Sequence, residues 1–310
     1  MHKIRVAVIG TGYLGSLHAK LYKELDGCSL AAVCDVDPDR LEHVCRTLQV
    51  PGVVDYRDLF GTVDAVSICV PTIRHFAVAR EFLARGIHCL VEKPFTATLR
   101  EADQLITLAR RKKAVLAVGH IERFNSAFAA CRQYFKQPYF IECHRLSPFP
   151  HRSLDVGVVL DLMIHDIDIC LGLVGSAVKR IDAIGVNVLT PFEDIANARL
   201  HFANGCVANI TASRVSDEVV RKIRMFLKNA YISLDYKNQH AFLYKKDPAG
   251  GIVKVALPIE KEQPLAKELA SFLESVAHHT TPLVSGEVAR EALGTALSIR
   301  DQIWKKLKRF

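Results

Sequence analysis

No run of about 18 uncharged apolar residues occurs in the chain, so length alone excludes a membrane-spanning helix. There is no C-x-x-C pair among the nine cysteines, and Cys34, Cys69 and Cys89 sit inside apolar stretches. This pattern argues against zinc ribbons and redox motifs, and for buried, reduced thiols in a cytoplasmic protein. Cys143-His144 is an adjacent ligand pair, but no further ligands stand at zinc spacing and no metal site is expected. Internal repeats and low-complexity segments are absent. Met1-His2-Lys3 runs straight into an apolar stretch, which leaves no room for a signal peptide.

Acidic residues are the minority charge, 33 against 41 basic, for a formal net charge of +8. The basic runs are Arg110-Arg111-Lys112-Lys113 and Lys305-Lys306-Leu307-Lys308-Arg309. Both suit helix C-termini, where cations complement the dipole. No helix-turn-helix, zinc-finger or RNP pattern accompanies them, so no nucleic-acid partner is expected. A positive surface also suits anionic small ligands such as dinucleotides and nucleotide sugars.

What is present is a dinucleotide fingerprint. An apolar stretch, Ile4–Ile9, leads into Gly10-Thr11-Gly12-Tyr13-Leu14-Gly15. Leu14, Leu17, Leu21 and Leu25 then recur at three- and four-residue steps, which predicts one face of a helix. A second apolar stretch ends at Asp35, twenty positions after Gly15. G-x-G-x-x-G alone is weak; strand before, helix after and acid at this distance make it specific. Gly10 permits the sharp turn, Gly12 lets backbone approach a pyrophosphate, and Gly15 lets helix and strand pack closely. Asp35 is expected to accept from ribose hydroxyls and repel a 2′-phosphate, which predicts NAD over NADP. Arg40 is expected to lie too far into the next helix to reverse that choice.

The first 120 residues alternate strand and helix, and the strands are continuous apolar runs, as in a sheet buried on both faces. Beyond Gly119-His120 the sequence becomes strand-rich with short turns, which argues for an antiparallel sheet. The predicted fold is therefore α/β: a doubly wound parallel Rossmann sheet over 1–120 and a substrate-binding α/β domain over 121–310. With 310 residues, half of them hydrophobic, the chain has material for two cores.

Two further constellations carry chemistry. Asp161, His165 and Asp168 share one face if 158–173 is an α-helix. A histidine flanked by carboxylates can take a proton near neutral pH. A helix-terminal charge cluster or a satisfied buried network would use the same residue types. Glu92-Lys93-Pro94 ends a strand of the first domain, at the sheet edge where ligands of open parallel sheets bind. A lysine there can stabilise a developing alkoxide, although a surface ion pair would spell the same letters.

The glycine fingerprint, Val70-Pro71 with His75, Glu92-Lys93-Pro94 and D-x-x-x-H-x-x-D at 161–168 occur together and in order. In this the chain resembles the glucose–fructose oxidoreductase/inositol dehydrogenase (Gfo/Idh/MocA) family over nearly its whole length. The resemblance implies an open-faced sheet in the second domain, hydride transfer on a sugar-like alcohol, and homodimers or homotetramers built through that sheet, which adds oligomerisation to the role of 121–310. It implies Lys93 and His165 as the catalytic pair with Asp161 beside them. Gly10, Thr11, Gly12, Tyr13, Leu14, Gly15, Asp35, Val70, Pro71, His75, Glu92 and Lys93 are the expected NAD contacts. Gly119-His120-Ile121-Glu122-Arg123-Phe124-Asn125 and the stretch 155–161 resemble bacterial members that oxidise the 3-hydroxyl of UDP-N-acetylglucosamine for lipid A biosynthesis. Arg123, Arg152 and His151 are basic residues that could meet a diphosphate; as hinge or surface charges they would do no such thing. The alternatives are oxidation of a free polyol such as an inositol, and a non-catalytic NAD-sensing regulator.

Overall fold

Six short apolar segments build the first sheet of the computed structural model, which describes residues 3–135, 137–149 and 155–308. In chain order they are β1 (Ile4–Ile9), β2 (Cys28–Cys34), β3 (Gly52–Val53), β4 (Ala65–Ile68), β5 (His88–Glu92) and β6 (Leu116–Gly119). All pair in parallel, in the order β3-β2-β1-β4-β5-β6. Helices α1 (Tyr13–Glu24), α2 (Pro38–Leu48), α3 (Thr72–Ala84) and α4 (Leu99–Lys112) connect them. Val6, Ala7, Val8, Ala65, Val66 and Ile68 are wholly buried, because helices cover both faces of the sheet. The strand order reverses between β1 and β4, the switch point at whose carboxyl side ligands of such sheets bind.

The second unit holds α5 (Ser126–Cys131), β7 (Phe140–Leu146), α6 (Ile164–Val174), β8 (Val178–Val186), β9 (Ile195–Phe202), β10 (Val207–Ser213), β11 (Val220–Leu227), β12 (Ala230–Asp235), β13 (His240–Lys246) and β14 (Ile252–Ala256). Eight strands form one sheet, β14-β13-β12-β11-β7-β10-β9-β8, antiparallel throughout except for the parallel pair β7–β10. Strand parity divides its faces. Ala198, Ile210, Cys143, Ile223 and Leu234 stand in register across five strands and are fully buried. Three residues further along the strands, Phe140, Phe226, Tyr231 and Tyr244 form a half-exposed aromatic row on the other face. Tyr231 and Tyr244 stack with ring centroids 4.2 Å apart.

Two helices follow, α7 (Pro264–His278) and α8 (Gly286–Leu307). Residues up to His120 form one compact unit with Leu265–Arg290; Ile121–Pro264 and the residues from Glu291 onward form the other. The stretch 265–290 thus sits with the first sheet, whereas a division into 1–120 and 121–310 assigned it to the second. The cause is the edge strand β6: Val118 N–H donates to Val284 O at 3.1 Å, and Arg110–Glu287 and Arg290–Asp103 ion pairs bind the segment to α4.

One local expectation needs correcting. The buried face of α1 comprises Gly15, His18, Ala19, Leu21 and Tyr22, with Leu14, Leu17 and Leu25 only half-buried. Polar partners turn the helix that way: Tyr22 bonds Ser67 at 2.8 Å, and His18 faces Glu92. β14 carries no sequence signal because it is a solvent-exposed edge strand entered through Gly250-Gly251. Among the described residues, no helix is long and apolar enough to cross a membrane.

Candidate active site

The glycine turn shows three different requirements. Gly10 has φ +91°, and a Cβ there would lie 2.7 Å from Cys69 O. A Cβ on Gly15 would lie 1.8 Å from Gly10 O, so glycine is what lets α1 close onto the turn. Gly12 is different: its φ of −61° suits any residue, and a Cβ would meet nothing within 4 Å. The protein itself does not require glycine at 12; a ligand approaching that backbone would.

The start of α1 agrees. Gly12 is its N-cap, with no side-chain capping bond and no acid in the first turn. By contrast α2 is capped by Asp37, and α4 carries a complete Thr98/Glu101 capping box. An uncapped helix N-terminus presents backbone N–H donors and a positive dipole end, which suits a diphosphate. These features fit a pyrophosphate-bearing dinucleotide.

Asp35, at the end of β2, is buried and already bonded. Its carboxylate accepts from Thr11 N (2.7 Å), Thr11 Oγ1 (2.9 Å) and Asp37 N (3.0 Å). Burial opposes its ionisation, but these bonds and the Arg40 guanidinium outweigh that and hold the carboxyl below its usual range. Arg40 reaches within 3.7 Å of Asp35 and 3.2 Å of Asp37. It is therefore not remote from the acid, because the first turn of α2 folds back over the end of β2.

At the carboxyl edge of the sheet, Val70 and Pro71 follow β4, and Pro71 caps α3. His75 bridges this loop to the one after β5: Nε2 is 2.8 Å from Val70 O and Nδ1 is 2.9 Å from Pro94 O. Burial pushes its imidazole below the usual value, against both carbonyls. A neutral ring donates to one carbonyl at a time, so His75 is a clamp between two loops of the cradle. Glu92 ends β5, buried, and its Oε2 accepts from Lys93 N at 3.1 Å. Lys93 precedes a cis peptide to Pro94.

In the second unit, Val159–Met163 is a π-helical turn running directly into α6. One extra residue per turn breaks the α-helical phase at Asp161, so spacing alone does not set whether Asp161 shares the face of His165 and Asp168, which both lie in α6. All three are buried, at 8%, 9% and 1% exposure, among the wholly buried Val158, Val159, Met163 and Ile164. Asp168 is bound on two sides by Arg123, whose Nε and Nη2 donate to its carboxylate at 2.6 and 2.9 Å. The same guanidinium fills the space that glycine leaves at 172. Arg152 and His151 lie outside the described residues.

Other buried ions had little sequence signal. Arg145 donates to Asp166 at 2.7 and 3.0 Å and to Glu122 at 2.8 Å. Its inward parity after Ile141 and Cys143 in β7 could have shown it. Arg214 and Asp194 form a wholly buried pair at 2.8 Å, while Leu189 and Thr190 N–H also donate to Asp194; two loops meet there, and no spacing in the sequence connects them.

Residues 4–120 match the model of the oxidoreductase family with NAD-binding Rossmann fold, and residues 109–232 that of the GFO/IDH/MocA C-terminal domain. The chain is 39% identical to UDP-N-acetylglucosamine 3-dehydrogenase of Acidithiobacillus ferrooxidans, over the full length of both. The crystal structure of that enzyme superposes with a TM-score of 0.92 over 98% of each chain. Myo-inositol 2-dehydrogenase of Thermotoga maritima is 26% identical over 94% of this chain and 93% of its own. Levoglucosan dehydrogenase in complex with NADH and levoglucosan, 17% identical, shares the fold at a TM-score of 0.90 over 98% of each chain. The chain thus belongs to the Gfo/Idh/MocA family and is an NAD-binding oxidoreductase.

Proposed function

We propose that this enzyme oxidises the 3-hydroxyl of UDP-N-acetylglucosamine to a ketone. The observation carrying the proposal is the end-to-end similarity to an enzyme of that activity, 39% identical with no part of either chain left over. Bound NAD supplies the acceptor for the carbon-bound hydride. His165 takes the hydroxyl proton, and its apolar surroundings strengthen every charge interaction made there. Asp161 supports the imidazolium, and Lys93 orients the hydroxyl and stabilises its developing negative charge. Gly10, Thr11, Gly12, Tyr13, Leu14 and Gly15 hold the cofactor diphosphate, with Asp35 at the ribose. Val70, Pro71 and Glu92 line the sheet edge, where His75 keeps the loops in place. Arg123 we assign to Asp168, as the support of α6.

The test is NADH absorbance with UDP-N-acetylglucosamine, driven by a trapping transaminase and glutamate. His165→Asn should lower turnover by roughly 10²- to 10⁴-fold, the usual worth of a general base, with NAD binding intact. Lys93→Ala should be comparably damaging. Signal with inositol and none with UDP-sugars would move the assignment to a free polyol, which the similarity to a myo-inositol 2-dehydrogenase keeps in view. We further propose a cytoplasmic homodimer or homotetramer built on the aromatic row of β7, β11, β12 and β13. Light scattering on a Tyr231→Glu/Tyr244→Glu variant, expected to be monomeric, tests that.

A further inference from the structure

The π-helical turn that carries Asp161 starts without a cap of its own: Val158, at its N-cap, makes no side-chain bond. Buried N–H groups at a helix start must then find acceptors elsewhere in the chain. Glu193, in the loop between β8 and β9 and only 1% exposed, supplies them. Its backbone O accepts from Val158 N at 2.9 Å, and its Oε1 accepts from Val159 N at 3.3 Å. Trp304 Nε1 of α8 donates to the other oxygen, Oε2, at 3.0 Å. Gly157 leaves the room, because a Cβ there would overlap Glu193 Oε1. Asp161 follows in one step: its N–H donates to Gly157 O at 3.0 Å. The neighbouring Asp194 holds Arg214, whose Nη1 donates to Val156 O at 2.9 Å. Both acids of the loop thus fasten residues 156–159, and every residue of this anchor belongs to the second unit.

We propose that Glu193 is a positioning residue for the reaction: it fixes the π-helical turn so that Asp161 stands where it supports the imidazolium of His165. The proposal rests on the roles given above to Asp161 and His165. The acid is specific to the task. A carboxylate accepts on both oxygens, whereas a carboxamide accepts on one side and donates on the other. At position 193 both facing groups, Val159 N and Trp304 Nε1, are donors, so glutamine satisfies one and opposes the other. A negative group at the start of a helical segment also matches the positive end of its dipole. Without this hold the extra residue of the π-turn is free to move along the helix, and the phase of Asp161 moves with it.

Glu193→Gln keeps the size of the side chain while setting an amide N–H against one of two donors. Its first readout needs no substrate. Losing a bond to a charged acceptor should speed hydrogen exchange at the Val159 and Asp161 amides at least about tenfold. Turnover, measured well below the melting temperature, should fall roughly 10- to 100-fold, with the NAD Kd within about twofold of wild type. Because the effect passes through Asp161, E193Q should cost less than about twofold more in an Asp161→Asn background. Gly157→Ala displaces the same carboxylate from the other side and should reproduce the loss of turnover. Exchange at wild-type rates in E193Q would overturn the proposal. So would wild-type kcat in E193Q or G157A while Asp161→Asn is slow, even if Tm falls, since Glu193 would then be a structural acid only. Losses that multiply in the double variant would overturn it too. An Asp161→Asn variant as active as wild type would remove the role of Asp161 instead, while the exchange rates would still report on the anchor.

Discussion

Gly12 and Gly15 belong to one motif but should fail in different ways when each is replaced by alanine. The Gly15 Cβ would sit 1.8 Å from Gly10 O, a backbone atom that cannot rotate away. α1 would have to lift from the turn, and overpacking of that kind costs about 1–3 kcal/mol or more. The Gly12 Cβ meets no protein atom within 4 Å, so the folded protein loses only the N-cap preference for glycine over alanine, about 0.5–1 kcal/mol. Its methyl would occupy open space in which we propose the diphosphate lies. Inserting a methyl into a close contact at about 1–3 kcal/mol corresponds to NAD binding weakened roughly 5- to 150-fold. Thermal melts without cofactor and an NAD titration by fluorescence separate the two terms. Gly15→Ala should lower Tm markedly; Gly12→Ala should melt within a few degrees of wild type while binding NAD poorly. An NAD Kd for Gly12→Ala within about twofold of wild type would refute the placement of the pyrophosphate at this turn.

Replacing Asp35 with Ser removes the charge proposed to oppose a 2′-phosphate and leaves Arg40 beside the vacated position. The kcat/KM preference for NAD over NADP should fall roughly 10- to 100-fold, the worth of one charged hydrogen bond, and an unchanged ratio would show that selectivity lies elsewhere. Arg145→Met strands Asp166 and Glu122 in the interior and should cost about 3–5 kcal/mol in urea unfolding; a loss under about 1 kcal/mol would mean the carboxyls find other partners. Bonds from backbone N–H groups and Arg214 hold Asp194 well below the carboxylate range despite burial. Its contribution to stability is therefore present above about pH 4 and disappears only as pH falls through that lower folded value. Acid unfolding of Asp194→Asn should thus be shallower than that of wild type between about pH 4 and 2. Of the nine cysteines only Cys45 and Cys69 are not fully buried. The Cys34 and Cys131 thiols are pushed up to about 12 by burial. No more than two thiols should react with Ellman's reagent in the native state, and nine after denaturation.

The cofactor and the class of fold were legible because their physics is local. Gly10, Gly12, Gly15 and Asp35 lie within one strand–turn–helix–strand unit, in which Gly15 packs on Gly10 O and Asp35 accepts from Thr11 N. Apolar runs such as Val6-Ala7-Val8 announce a sheet covered on both faces, and parity in β7, β9 and β10 announces the second sheet. Lys93, Asp161 and His165 could be nominated from their order along the chain, and their roles remain proposals. Tertiary structure decided what distance in sequence hides. His18 and Tyr22 displace leucines from the buried face of α1 because Glu92 and Ser67, on other strands, offer polar partners. The π-helical turn before α6 resets the phase of a motif that simple spacing assigns to one face. Arg40 reaches Asp35, Arg123 is taken up by Asp168, and residues 265–290 join the sheet that begins at Ile4. The pairs Tyr22–Ser67, His18–Glu92 and Arg123–Asp168 join groups far apart in sequence that water would otherwise satisfy, and only burial, which the folded chain creates, makes such a partner obligatory.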